Sequence, residues 1–202
     1  MKIKSTGVAK WVALAVVPVS LAVLVAKKGQ QRKAEAATKA LLNEFSSICM
    51  GKPNVIEELI SQGADVNAHL AKDGATPLHM ALDYDYPQCG YESKFSRQQA
   101  AEFLLDHGAH INARDGLGVT CLSYAIFNGD VPCVRLLLQR GADVNAKGSK
   151  YSFPPLIGAE GRMGEITHST NAFHPELTAS DVAFIERMRE IIHLLKAAGA
   201  RE

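Results

Sequence analysis

The chain is 202 residues long, 47% hydrophobic and 21% charged, with a formal net charge of +1. That length suits one domain plus an appendage. The balanced charge leaves no basic excess for nucleic acid and no bias toward a charged substrate.

The first element is apolar. Trp11 to Ala26 carries no ionisable side chain and is bracketed by Lys10 and by Lys27-Lys28. As a helix it would extend about 24 Å at about 1.5 Å per residue, against a hydrocarbon core of about 30 Å. Snorkelling lysines reduce that shortfall. A cleaved signal peptide fits the basic start, but Lys27, Lys28, Arg32 and Lys33 occupy the place of a cleavage site, and Ala34-Glu35-Ala36 lies too far on. A buried core helix is the third reading. The expectation is an uncleaved signal-anchor, residues 1–28, followed by a basic helical linker, residues 29–38. Lysines flank both sides, so the positive-inside rule nearly balances. A signal-like start favours the tail inside and the rest outside, which in a bacterium means inner membrane and periplasm. The alternative is a cleaved, soluble periplasmic or secreted protein.

Gln30 to Cys49 is rich in helix formers, with Leu41, Leu42, Phe45, Ile48 and Cys49 on one face. Gly51-Lys52-Pro53-Asn54 reads as a turn, and Asn54 is placed to cap a helix over Val55 to Gln62. Then comes Gly63-Ala64-Asp65-Val66-Asn67-Ala68. It returns as Gly108-Ala109-His110-Ile111-Asn112-Ala113 and as Gly141-Ala142-Asp143-Val144-Asn145-Ala146, with Gly199-Ala200 a frayed fourth copy. From Gly108 to Gly141 the period is 33 residues, the mark of a repeat architecture.

Two openings sit inside that period: Asp73-Gly74-Ala75-Thr76-Pro77-Leu78-His79-Met80-Ala81, and Gly118-Val119-Thr120-Cys121-Leu122-Ser123-Tyr124-Ala125. With Asn128-Gly129-Asp130 between the helical runs, these resemble ankyrin repeats over about residues 39 to 202. The resemblance implies an all-α repeat solenoid of helix-turn-helix units with β-hairpin-like turns, preceded by the N-terminal hydrophobic helix. Its motif residues are Thr76, Pro77, Leu78, His79, Gly108, Gly118, Thr120 and Gly141. It also implies that His79 hydrogen-bonds backbone around the hairpin rather than serving as a ligand. The repeats fall at 39–69, 70–113, 114–146 and 147–202.

Two repeats depart from the period. Gly63 to Gly108 is 45 residues, because of an insertion at 84–95; Ser96 with Gln99 then reads as a capping box that restarts the helix. Gly141 to Gly199 is 58 residues, with an insertion at 158–178. Gly158 to Pro175 is rich in Gly, Ser, Thr and Asn and is expected as a long loop. Thr178 or Ser180 caps a closing helix, Asp181 to Ala198, with Val182, Ile185, Met188, Ile192 and Leu195 as its stripe.

No motif carries catalytic chemistry: there is no phosphate loop, His-Glu-x-x-His, Gly-x-Ser-x-Gly or Cys-x-x-Cys. The expectation is therefore no enzyme, no cofactor and no metal. The rival is a hydrolytic or metal site from His168, His174 and Glu165 on the second insertion. A pair at His107 and His110 is weaker still. Cys121 and Cys133 fall at opposite ends of a helix pair and are not expected to bridge; Cys49 and Cys89 are left open. The favoured function is a membrane-tethered module that binds a protein partner, sequestering or inhibiting it, through the concave groove and the two insertions. A structural subunit of an envelope complex is the other alternative. The residues expected to touch the partner are Tyr84, Tyr86, Tyr91 and Phe95 of the first insertion, Tyr124 and Phe127 of an inner helix, and Arg114, Lys147, Lys150 and Tyr151 at hairpin tips. Aromatic and Arg side chains give most contact energy for least ordering cost.

Overall fold

A computed structural model of the chain describes residues 8–46, 53–70, 73–83, 96–150, 153–167 and 177–201, with no side-chain description for 8–23, 44–46, 53 and 54. Among the described residues there are eight helices and no strand: α1 (Val8–Ser46), α2 (Pro53–Ser61), α3 (Pro77–Leu82), α4 (Arg97–Asp106), α5 (Cys121–Phe127), α6 (Val131–Gln139), α7 (Pro155–Thr167) and α8 (Ala179–Ala197). They pack as antiparallel-style pairs, α3 with α4, α5 with α6 and α7 with α8. Helices α3, α5 and α7 form an inner row, and α4, α6 and α8 an outer one. The C-terminal half of α1 pairs with α2 and abuts α3, standing in as the first inner helix.

Local chemistry starts each helix. Thr76 holds an extended backbone ahead of Pro77, whose missing N–H falls where no helical partner exists. The Thr120 hydroxyl accepts from Ser123 N at 3.3 Å, and the Asp130 carboxylate from Cys133 N at 3.1 Å. Ser96 and Gln99 form a reciprocal capping box. Thr178, with Asp181, caps α8.

The recurring phrase stops the helices the same way four times. Gly63, Gly108, Gly141 and Gly199 all have φ between 88° and 93°. The N–H of the alanine after each reaches back to a leucine carbonyl: Ala64 to Leu59, Ala109 to Leu104, Ala142 to Leu137 and Ala200 to Leu195. This closure of the last turn requires a left-handed residue, which glycine adopts without strain. Gly199-Ala200 thus stops its helix in the same way as the complete copies.

The asparagine of the phrase ties each turn to the next. Asn67 donates to Gly108 O and accepts from His110 N; Asn112 accepts from Asp143 N; Asn145 donates to Gly199 O and accepts from Arg201 N. At the hairpin level, Gly116 N donates to Asp73 O at 2.8 Å, and a Cβ on Gly116 would lie 2.7 Å from that oxygen. The tips stack backbone on backbone.

Several expectations are corrected. The segment from Gly158, expected as a loop, is helical to Thr167 as part of α7; residues 168–176 lie outside the described set. Leu156, Ala159, Met163 and Ile166 recur at helical spacing, and Leu156 and Ala159 are buried against α5 and α8. In α8 the buried line runs Ile185, Met188, Ile191, Leu195; Val182 is exposed and Ile192 only partly covered. Asn54 lies within the first turn of α2 rather than before it. Helix α1 runs unbroken through Gly29, and its packing begins before residue 39: Ala34 meets Gly63, Thr38 accepts from Asp65 N at 2.8 Å, and Ala37 and Leu41 are buried. Among the described residues no helix is long and apolar enough to cross a membrane. The apolar run 11–26 falls mostly on residues whose side chains lie outside that set.

Candidate functional site

The motif residues form a rigid hub. His79, at the third position of α3, is fully buried. Its Nδ1 accepts from the Thr76 N–H at 3.3 Å, so that nitrogen is unprotonated. Nε2 therefore carries the hydrogen and donates to Val119 O at 3.1 Å, in the hairpin of the next repeat. Burial lowers the His79 pKa, outweighing the Val119 bond and the Asp115 charge that raise it. His79 is a neutral strut between repeats.

Asp115 anchors that hairpin. Its Oδ1 accepts from Leu117 N and Val119 N, and its Oδ2 from the Tyr124 hydroxyl at 2.9 Å. Tyr124 also packs edge-on to His79 at 5.4 Å. Burial, then the bond to the Asp115 carboxylate, pushes its phenol pKa upward. Arg114 is similarly occupied, donating to Gly118 O at 2.6 Å and to Lys147 O at 3.0 Å. Tyr124 and Arg114, expected to touch a partner, also brace the stack, and Tyr124 lines the groove beside Phe127. Lys147 and Lys150 are exposed at the next tip. Tyr84, Tyr86, Tyr91, Phe95 and Tyr151 lie outside the described residues.

Phe127 has a different setting. It ends α5 with 60% of its surface exposed and lines a groove of about 760 Å³ on the inner face. One wall is the end of α3 and the side of α5, with Asp83, Ser123 and Asn128. The other is built by α7 and α8. These are 13 and 19 residues long, against 7 and 9 for α5 and α6, so the extra length of the last repeat raises that wall. Gly158 and Gly161 present no side chain there and keep the groove open. Phe153, 71% exposed, stands beside them.

A guanidinium–aromatic stack lines this wall. The Arg162 guanidinium lies 4.3 Å from the Phe127 ring centroid and 5.6 Å from that of Phe184; Arg187 lies 5.3 Å from the Phe184 centroid. Arg162 Nη1 pairs with Glu165 at 2.9 Å, while its Nε is buried without a hydrogen-bond partner. Phe184 is wedged against the α5–α6 turn, where a Cβ on Gly129 would come within 2.8 Å of its ring. Sequence reasoning missed Phe153, Arg162, Phe184 and Arg187. The helical spacing of Leu156, Ala159, Met163 and Ile166 was the available signal, and three glycines in α7 obscured it.

The other candidates are accounted for separately. Glu165 is engaged by Arg162, and His168 and His174 lie outside the described residues. Among the described residues no three His, Cys, Asp or Glu side chains gather as metal ligands. His107 Nδ1 donates to Phe103 O, 2.8 Å away, and the imidazole stacks on the Phe103 ring. Cys121 and Cys133 are buried free thiols, their pKa raised by burial. Cys49 and Cys89 lie outside the described set.

The profile of ankyrin repeats matches residues 45–148 in three copies. Among curated proteins, the chain is 34% identical over 106 residues to the Neurogenic locus Notch protein of Drosophila melanogaster, covering 52% of this chain and 4% of that protein. It is 41% identical over 71 residues to the putative ankyrin repeat protein FPV233 of fowlpox virus, covering 35% and 14%. It is 32% identical over 106 residues to human ankyrin repeat and SOCS box protein 6, covering 50% and 23%. The chain thus spans less than a quarter of each of these relatives.

Proposed function

The chain belongs to the ankyrin-repeat family, and we propose that it is a protein-binding module that holds a segment of its partner in the groove between α5 and α7. One observation carries this reading: Phe127 and Phe153, large apolar side chains, stand exposed over a concave surface whose floor is rigid. Contiguous exposed apolar surface beside a groove marks an interaction site. The helices beneath are locked by the His79, Asp115 and Asn straps, so little ordering cost remains to be met on binding. Covering a partner's segment in this way would sequester or inhibit it.

The tether is part of the same proposal: residues 11–26 hold the module at a membrane, with the repeats outside the cytoplasm. The uncharged run supports it, as does the exposure of Leu24 and Val25, 58% and 63%, at the C-terminal end of that run.

The binding reading is tested by placing a photoreactive benzophenone side chain at position 127 or, as control, at Arg135 on the outer row. Irradiation in cells is expected to give one discrete adduct from 127 and none shared with 135. Identical adducts from both positions, or none from 127, would overturn the groove assignment.

A further inference from the structure

The chemistry of the groove narrows its occupant. Its two cations belong to the last repeat. Three basic side chains along α8 and its neighbour find carboxylates: Arg189 pairs with Glu186, Lys196 with Glu160, and Arg162 with Glu165. Arg187 forms no ion pair among the described residues; it sits on the groove wall beside Phe184. Arg162 and Arg187 flank one ring, and of the two only Arg162 pairs with a carboxylate, Glu165, so this end of the groove is locally positive. Asp83, the C-cap of α3, stands two inner helices away on the far rim. Exposed aromatic surface, Phe127 and Phe153, adjoins this positive end.

Resting on the reading of the groove as a partner-binding surface, we propose that it takes an extended peptide segment in which apolar side chains adjoin an acidic one. The apolar side chains cover Phe127 and Phe153. The carboxylate lands on the Arg187 guanidinium, a planar fork suited to it and held in place by stacking on Phe184. Aromatic stacking restricts the guanidinium before the peptide arrives, so less freedom is lost on pairing.

The test uses the full chain and fluorescein-labelled octapeptides. The probe Gly-Ser-Leu-Leu-Glu-Glu-Gly-Ser is compared by anisotropy with its double glutamine counterpart and with a phosphoserine version. The acidic probe is expected to bind about tenfold more tightly than the glutamine one, a preference that shrinks with added salt. Arg187→Gln should erase that preference. Phe127→Ala should weaken both. Equal binding of the acidic and glutamine probes, or no binding by any probe, overturns the proposal. So does a phosphoserine probe more than about tenfold tighter than the acidic one, which reassigns the site to phosphopeptides. These outcomes are separable from failure of the underlying reading, because a photo-adduct from position 127 forms whatever the charge of the bound segment.

Discussion

Two aromatic residues three positions apart on α5 both line the groove, yet only one of them also braces the scaffold. Tyr124 turns its hydroxyl to Asp115 and its edge to His79; Phe127 turns its ring to the groove. The first makes the scaffold that the second needs. His79 is one residue on which that scaffold depends, since it joins α3 to the hairpin of the following repeat. Its folded-state pKa is lowered from 6.5, chiefly by burial. The unfolded chain therefore binds more protons than the folded one once pH falls below about 6.5, and stability declines with falling pH. Above that value the stabilisation is fully present. Urea titrations between pH 7.5 and 5 should show the midpoint falling with acid. In His79→Gln, which removes the titrating group, the midpoint should start lower, by about 1–3 kcal/mol of lost stability, and vary less with pH. An equal acid slope in the variant would assign the effect to other groups.

At the scale of elements, legibility followed repetition. The four glycine stops and the capping residues Ser96 and Thr178 could be placed from the sequence, because each has a local chemical reason that recurs. The asparagine straps were visible only as a repeated letter; their partners lie 31 to 56 residues away. Helix α7 was misread because its three glycines signal a loop locally, while burial of Leu156 and Ala159 against neighbouring helices overrides that preference. The groove wall was lost with it. That cost remains in the native helix and can be measured. A Cβ added at Gly161 or Gly164 meets nothing within 4 Å. Gly161→Ala should stabilise the protein by about 0.5–1 kcal/mol, a rise of about 1–4 °C in Tm at this chain size. Gly164→Ala, in the last turn, should give less. Gly161 lines the groove and Gly164 does not, so only Gly161→Ala should also lower peptide affinity. A fall in Tm for Gly161→Ala would show that the glycine relieves a strain not apparent in the helix.

For the whole molecule, the question is how α1 relates to the repeats. From Leu24 to Lys33 every residue of α1 is exposed, and burial starts only at Ala34 and Ala37. A helix exposed on all sides for ten residues draws no support from packing, and Gly29 within it lowers its intrinsic stability further. Among the described residues, contact between α1 and the repeats begins at Ala34 and continues through Ala37, Thr38 and Leu41. A chain starting at Gly29 should unfold within about 2 °C of the full chain, the range of changes that leave buried contacts alone. What it should lose is location. With a phosphatase active only outside the cytoplasm fused after Glu202, the full chain should sediment with membranes and show activity. The shortened chain should stay in the supernatant, inactive. Membrane sedimentation of the shortened chain would remove the tether from residues 11–26, and an inactive full-length fusion would reverse the orientation. A Tm lowered by many degrees would place structural contacts N-terminal to Ala34, and the exposed stretch of α1 would then belong to the repeat stack rather than to a spacer between stack and membrane.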